Sequence, residues 1–178
     1  MRFIPTAFKE VWLIELEARE DERGLFARTY CEQEFADQGL NTRWPQCNLT
    51  RTARRGVIRG LHYQAEPKPE TKLIRCSRGA IFDVLVDVRK ASPTFGNWIA
   101  CELTSENRRQ LYVPGGFAHG FQSLEDCSEV FYQMSEFYVP ELARGVRWDD
   151  PTVKVSWPIP NPELSERDRN LPLLTAAA

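Results

Sequence analysis

The most regular hydrophobic pattern in the chain is an alternation over residues 81–89. The even-numbered positions hold Phe82 followed by three valines, and the odd-numbered positions include Asp83 and Asp87. A period of two residues is typical of a β-strand, because its successive side chains point to opposite faces. The segment is therefore predicted to be a strand with one apolar face and a second face that carries two carboxylates.

Further segments have the same strand-like composition and are separated by turn-forming residues. They cover residues 72–77, 97–104, 109–114 and 129–138. Strands that recur about every ten residues are typical of an all-β sandwich or barrel. Helix is predicted only at residues 32–38, before Gly39, and over a single turn at residues 165–170. The predicted fold is an all-β antiparallel barrel with a few short helices, formed by one domain over residues 1–178.

Composition and charge argue against two classes of partner. The chain has 178 residues, of which 42% are hydrophobic and 27% are charged, and its formal net charge is −2. This charge predicts no basic surface for nucleic acid, and no stretch has the apolar length that a membrane span needs. Lys9 and Glu10 interrupt the N-terminal segment where an export signal needs an apolar run, so a cytoplasmic protein is expected. The five cysteines lack metal-binding spacing and are expected to be reduced thiols.

The chain contains only two histidines, and both lie in distinctive motifs. His62 belongs to the run Arg-Gly-Leu-His-Tyr-Gln at residues 59–64, and His119 follows Pro-Gly-Gly-Phe-Ala at residues 114–118. The second motif resembles a signature of the cupin barrels, whose metal-binding members carry a His-x-His pair in the first motif. Gln64 stands in place of the second histidine of that pair, which leaves too few ligands for zinc or iron. No metal is predicted; a metal cupin and purely structural histidines are the alternatives.

A series of ordered sequence blocks extends over nearly the whole chain. It begins with Asp-Glu-Arg-Gly-Leu-Phe at residues 21–26 and continues through residues 46–48, 59–64, 72–76, 79–84, 87–89, 92–96, 111–114, 116–121, 147–151 and 164–168. Together these blocks resemble the dTDP-4-dehydrorhamnose 3,5-epimerase family, whose members have the cupin fold. The resemblance implies an isomerase that moves protons on a nucleotide-linked 4-keto-6-deoxyhexose without a cofactor.

The resemblance also implies catalytic roles for four residues. His62 is expected to be the base that removes a proton beside the keto group, and Asp168 is expected to orient its ring. Lys72 is expected to hold the developing oxyanion as a fixed positive charge. Tyr132 is expected to donate the proton that completes the inversion.

A larger set of residues is expected to contact the substrate. Tyr138 resembles the aromatic residue that stacks on the nucleotide base, and its parity with Tyr132 predicts the same strand face if the strand is unbroken. The arginines of the set suit a pyrophosphate, because planar guanidinium groups bind phosphate oxygens in pairs. The complete set is Arg23, Phe26, Gln46, Asn48, Arg59, Lys72, His119, Tyr138 and Arg167.

Several of these residues also have a structural interpretation. Asp168 lies three residues after Ser165, which is the spacing of a helix-capping box. Tyr132 and Tyr138 have the character of core aromatics, which is the commoner role of tyrosine in a strand. Asp83 is predicted to face the pocket and to support Lys72.

Two departures from the family pattern keep other functions open. Arg28 and Ala143 stand where glutamates are expected in the family. A buried pocket rejects ligands that leave its polar groups unpaired, so these changes favour an enzyme that inverts one centre only, or one that acts on another nucleotide sugar. A non-catalytic cupin that binds sugar is the third alternative.

Finally, the resemblance implies a homodimer, because members of the family usually pair their barrels through strands. The apolar run Val-Trp-Leu-Ile at residues 11–14 is predicted to form such an edge contact.

Overall fold

The computed structural model describes residues 1–174; residues 175–178 of the predicted domain lie outside the described residues. The strands are β1 (Arg2–Pro5), β2 (Trp12–Glu15), β3 (Arg19–Asp21), β4 (Gly24–Phe26), β5 (Gln46–Thr52), β6 (Ile58–Gln64), β7 (Lys72–Arg78), β8 (Ala80–Asp87), β9 (Trp98–Thr104), β10 (Gln110–Val113), β11 (Phe117–Ser123), β12 (Ser128–Met134) and β13 (Ala143–Gly145). The helices are α1 (Glu32–Asp37) and α2 (Glu166–Arg169), and one turn of 3-10 helix covers Pro140–Leu142. None of the helices in this range has the length and apolar character needed to cross a membrane.

Two antiparallel sheets face each other across the interior. One sheet has the strand order β1-β2-β10-β7-β12-β5, and the other has the order β13-β6-β11-β8-β9. Strands β3 and β4 form a separate hairpin. Many neighbours within a sheet are distant in sequence, so the chain crosses repeatedly from one sheet to the other, as in a jelly roll. The predicted all-β, cupin-type antiparallel barrel with a few short helices is confirmed.

The alternation along β8 determines which of its residues fill the barrel. Ile81 and Leu85 pack in the interior with residues of the opposite sheet such as Val130. Val84 lies on the other face of β8, where it packs with Leu174 and other residues of the C-terminal segment. Burying one such aliphatic side chain contributes roughly 1.5–3 kcal/mol, and β8 does so on both faces. Its two aspartates are consequently buried as well.

Helix α1 covers part of the outer face of the six-stranded sheet. Phe35, which is fully buried, packs edge-on against Phe3 and Tyr30. The helix is followed by Gly39, whose positive φ of 68° is adopted most easily by a residue without a side chain. The predicted helices at residues 32–38 and 165–170 agree with α1 and α2 to within one residue at each end.

Two predictions about strands are wrong. The strand predicted over residues 129–138 ends at Met134, so Tyr138 lies beyond it. The run at residues 11–14 is not a free edge, because β2 is paired on one side with β1 and on the other with β10. Val11 and Ile14 are fully buried within this chain and have no surface left for a partner.

Candidate active site

A cavity of about 410 Å³ opens at one end of the barrel. It lies where β5 and β7 begin and where β6 and β12 end, so side chains from both sheets converge on it. The lining residues are Gln46, Asn48, His62, Tyr63, Gln64, Glu70, Lys72, Tyr132, Met134, Tyr138, Ala143, Arg144 and Arg167.

His62 and Asp168 form a hydrogen-bonded pair at the cavity wall. His62 Nε2 lies 2.6 Å from Asp168 Oδ1, and the other carboxylate oxygen accepts a hydrogen bond of 3.3 Å from the amide of Gly60. The His62 side chain is 38% exposed, whereas that of Asp168 is 7% exposed, so only the ring is open to a ligand. Among residues 1–174, His62 Nδ1 makes no hydrogen bond, which leaves one ring nitrogen available.

The pKa of Asp168 is lower than the ordinary value of an aspartate. Burial alone would raise this pKa, but the hydrogen bond and positive charge of His62, together with the Gly60 amide, outweigh it. The backbone amide of Asp168 also donates to Ser165 Oγ, at 3.1 Å, and so caps α2. The predicted capping contact between Ser165 and Asp168 is therefore confirmed, but it uses the backbone amide of Asp168. The carboxylate of Asp168 contacts His62 instead.

Tyr132 approaches the cavity from β12. It lies directly opposite Asn48 of β5 in the strand register, and both side chains line the cavity. Its hydroxyl lies 3.3 Å from Thr50 Oγ1. A phenol in this position can exchange a proton with a ligand that also contacts His62.

Lys72 begins β7 and is held by Glu70. Its Nζ lies 2.8 Å from Glu70 Oε1, and only 9% of the lysine side chain is exposed. The prediction that Asp83 supports Lys72 is wrong. Asp83 is instead the partner of His119, whose Nε2 lies 2.7 Å from Asp83 Oδ1 in the barrel interior.

His119 and Asp83 are more buried than the first pair. His119 is opposite His62 in the register between β11 and β6, but it does not line the cavity. Asp83 Oδ2 is buried and has no hydrogen-bond partner among residues 1–174. The two histidines direct their Nε2 atoms to different aspartates, and residues 1–174 contain no group of three or more His, Cys, Asp or Glu side chains that could hold a metal ion.

The structure brings together most of the predicted site residues but not all. Gln46, Asn48, His62, Lys72, Tyr132, Tyr138 and Arg167 line the cavity, and Asp168 lies behind His62. Arg59 is turned to β5, where it donates to Thr52 Oγ1 at 3.0 Å. Arg23 and Phe26 lie on the β3–β4 hairpin, outside the cavity lining. Phe26 is 73% exposed, and Arg23 forms an exposed ion pair with Asp21.

The two departures from the family pattern lie in different places. Ala143 lines the cavity, so a small apolar side chain stands at its wall. Arg28 lies outside the cavity lining and pairs with Glu34 at 2.7 Å.

Sequence reasoning missed the lining residues Tyr63, Glu70, Met134 and Arg144, and it missed the role of Gln64. The Gln64 side chain accepts a hydrogen bond of 2.8 Å from the amide of Val139 and donates to the carbonyls of Lys68 and Phe137, at 2.7 and 3.2 Å. Gln46 accepts a further hydrogen bond from the amide of Tyr138, at 3.1 Å. These two glutamines place Tyr138 at the cavity although no strand does so. The run of residues 59–64 identified Gln64 only as the replacement for a metal-binding histidine.

Comparison with known proteins gives consistent matches over almost the whole chain. The sequence profile of dTDP-4-dehydrorhamnose 3,5-epimerase matches residues 5–176. The dTDP-4-dehydrorhamnose 3,5-epimerase of Shigella flexneri is 43% identical over 171 residues, which are 96% of this chain and 94% of that protein. The dTDP-4-dehydrorhamnose 3-epimerase of Streptomyces niveus is 39% identical over 178 residues, covering 99% of this chain and 86% of that protein.

A solved structure gives a similar result. The dTDP-6-deoxy-D-glucose-3,5-epimerase of Legionella pneumophila, in complex with dTDP-4-keto-L-rhamnose, superposes with a TM-score of 0.94. It is 36% identical, and the match covers 99% of this chain and 94% of that chain. At this coverage the likeness extends over almost the whole of both chains.

Proposed function

Because this chain belongs to the dTDP-4-dehydrorhamnose 3,5-epimerase family, we propose that it inverts C3 and C5 of dTDP-4-dehydro-6-deoxyglucose and so produces dTDP-4-dehydrorhamnose. The observation that carries the proposal is the convergence of His62, Lys72 and Tyr132 on one cavity. This set provides a base, a cation and a proton donor, which are the three groups that the reaction requires.

The chemistry follows from the keto group at C4. A carbonyl acidifies the hydrogens on both neighbouring carbons, because the carbanion left behind is delocalised as an enolate. Inversion at either carbon then needs a proton removed from one face and returned to the other. No electron is transferred, so the reaction consumes no redox cofactor, and we propose that none is used.

His62 is the proposed base, acting through Nδ1. Its Nε2 is held by the buried carboxylate of Asp168 at 2.6 Å, which fixes the tautomer that carries its proton on Nε2. The same carboxylate stabilises the imidazolium that forms when Nδ1 takes up a proton. Asp168 does not line the cavity, so it acts through His62.

Lys72 and Tyr132 are the proposed partners of the base. The Lys72 ammonium is largely shielded from water, where a fixed charge stabilises an oxyanion more strongly than it would in solvent. We assign to it the oxygen on C4. The Tyr132 hydroxyl is the proposed proton donor, since its one hydrogen-bond contact among residues 1–174 is the long contact with Thr50.

The nucleotide end of the substrate is proposed to bind around Tyr138. This side chain is 52% exposed beside the cavity and offers a face on which a base can stack. Arg167 and Arg144 line the same region and form no ion pair within the described residues, so both suit the pyrophosphate. Gln46 and Asn48 supply neutral hydrogen-bonding groups.

We propose that the protein is a homodimer and that the β3–β4 hairpin of a second copy completes the site. The predicted ligands Arg23 and Phe26 lie on this hairpin, away from the cavity of their own chain. Leu25 and Phe26, together with Leu49 on β5, are exposed apolar side chains that a partner would cover. Light scattering should give twice the mass of the chain, and Phe26→Ala should weaken nucleotide binding although Phe26 lies outside the cavity. A monomer with full activity would contradict the proposal.

A second candidate function is epimerisation of one centre only. The Streptomyces niveus relative is named a 3-epimerase at 39% identity, and Ala143 stands in the cavity where a glutamate is expected. Incubating the 4-keto sugar nucleotide in deuterated water separates the two functions. Deuterium at both C3 and C5 supports the first, and deuterium at one carbon supports the second.

The alternative of a non-catalytic sugar-binding protein predicts no deuterium at either carbon. His62→Asn should abolish deuterium uptake if the protein is an enzyme, while its affinity for dTDP should be retained.

We also propose that the enzyme acts in the cytoplasm, where its five free cysteines would stay reduced, and without a metal. Unchanged activity after exhaustive chelation, with less than one metal ion per chain by elemental analysis, is the expected result.

A further inference from the structure

Glu70 is the one carboxylate among the described residues that line the cavity. Its Oε1 forms an ion pair with the Lys72 ammonium, at an N–O distance of 2.8 Å. The two side chains are 13% and 9% exposed, so their attraction is only weakly screened by water. The two groups therefore act as a unit at the cavity wall.

The backbone fixes this unit in place. The amide of Thr71 donates to Ser135 Oγ at 2.8 Å, and the amide of Ser135 donates to the carbonyl of Thr71 at 2.9 Å. On the other side of Glu70, the carbonyl of Lys68 accepts from Gln64 at 2.7 Å. These hydrogen bonds hold the backbone on both sides of Glu70, and Lys72 holds its carboxylate, so the group loses little freedom when a ligand binds, which favours a role in recognition.

We propose that Glu70 and Lys72 together recognise the α-hydroxy ketone of the sugar, with Glu70 accepting a hydrogen bond from the hydroxyl on C3. The inference rests on the proposed function, in which Lys72 donates to the oxygen on C4. Oxygens on neighbouring ring carbons lie about one hydrogen-bond length apart. Lys72 Nζ, the proposed donor, and Glu70 Oε1, the proposed acceptor, are also about this far apart, at 2.8 Å.

The chemistry of the substrate singles out the C3 hydroxyl. C5 carries a methyl group, so C3 is the only neighbour of C4 that bears a hydroxyl. A carboxylate accepts hydrogen bonds and cannot donate them, and it has acceptor sites left after binding Lys72. Glu70 therefore favours a hydroxyl at C3 and is left unpaired by a sugar that has only hydrogen there.

The test compares the rate of deuterium uptake at C5 for two substrates, because both have an exchangeable hydrogen at this carbon. They are dTDP-4-keto-6-deoxyglucose and its 3-deoxy analogue. The wild type should prefer the hydroxylated sugar in kcat/KM by about 10- to 100-fold, the range for a hydrogen bond to a charged group. Glu70→Ala should reduce this preference to less than about threefold. Glu66→Ala, a matched change at an exposed acid of the same loop outside the cavity lining, should keep the wild-type preference.

An unchanged preference in Glu70→Ala would overturn the inference. If this variant exchanges too slowly to measure, the same preference is read from the dissociation constants of the two sugars in the His62→Asn background, with and without Glu70→Ala. Affinity for dTDP within about twofold of wild type shows that the variant is folded. Absence of deuterium uptake in the wild type would refute the proposed function, whereas uptake with an unchanged preference refutes only the role of Glu70.

Discussion

Replacing Asp168 with asparagine should lower kcat by about 10²- to 10⁴-fold while changing KM little. Asparagine has nearly the same shape as aspartate, so it fits the space between His62 and the Gly60 amide. It removes the negative charge, and it allows an amide NH₂ group to face His62 Nε2. That arrangement favours the tautomer with its proton on Nδ1, which cannot act as the base toward the cavity.

The magnitude follows from two contributions. A hydrogen bond between a charged and a polar group contributes roughly 1.5–3 kcal/mol, and the imidazolium of the transition state would lose this amount, or about 10- to 150-fold in rate. Reversal of the tautomer accounts for the remaining decrease. KM should change little because Asp168 does not line the cavity.

Steady-state turnover and deuterium uptake at C5 would both measure the effect. Asp150→Asn is the matched control, because Asp150 is also a buried aspartate with a lowered pKa, but its carboxylate binds the backbone amides of Thr152, Val153 and Leu174. This control should lower the free energy of unfolding and leave kcat of the folded protein within about twofold. If Asp168→Asn kept wild-type kcat, the proposed role of the His62–Asp168 pair would be wrong.

Three further predictions concern acid stability, the nucleotide site and packing. Asp87 is hydrogen-bonded by Arg89 and two hydroxyls, which lower its pKa to about 2 against the opposing effect of burial. The ionised Asp87 therefore adds to the free energy of unfolding at neutral pH. This contribution is lost as the pH falls from about 4 to 2, and about 1 kcal/mol of it is lost at pH 3. Urea unfolding at pH 7 and pH 3 should show this loss in the wild type. Asp87→Asn should have a lower free energy of unfolding at pH 7, and its free energy of unfolding should fall by about 1 kcal/mol less between pH 7 and pH 3. Gln64→Ala should raise KM by about tenfold with a smaller change in kcat, because it releases the segment that carries Tyr138; an unchanged KM would contradict this role. Gly120→Ala should destabilise the fold by about 2 kcal/mol or more, since its Cβ would lie 2.6 Å from the carbonyl oxygen of Arg59, and an unchanged urea midpoint would show that the strands can separate.

The sequence predicted the local features of the fold well, because these depend on short-range patterns. The alternation over residues 81–89 predicted a strand and correctly divided its residues between two faces. The spacing of Ser165 and Asp168 predicted the cap of α2. Neither pattern could identify the partner of the Asp168 carboxylate, because His62 is 106 residues away in the sequence. That pairing was expected only from the family resemblance.

Predictions failed where they depended on which strands become neighbours. Alternation fixes the face of a side chain but not the register of its strand. The alternation alone predicts Lys72 as the partner of Asp83, but β8 pairs with β11, which places Asp83 beside His119. Lys72 lies in the other sheet and obtains its carboxylate from Glu70, which precedes β7 and belongs to no alternating pattern.

The two histidine–aspartate pairs show why residue type alone does not define a catalytic group. The distance from the histidine Nε2 to the aspartate Oδ1 is 2.6 Å for His62 and 2.7 Å for His119. The side chain of His62 is 38% exposed and lines the cavity, whereas that of His119 is 10% exposed and does not line it. Proton transfer to a substrate requires contact with it, so access to the cavity separates two groups of the same chemistry. Position along the strand does not cause the difference, because His62 and His119 are opposite each other in the register of β6 and β11 and each lies two residues from the same end of the pair. Exposure to the cavity therefore decides whether the aspartate of such a pair orients a base or fixes a residue of the barrel interior.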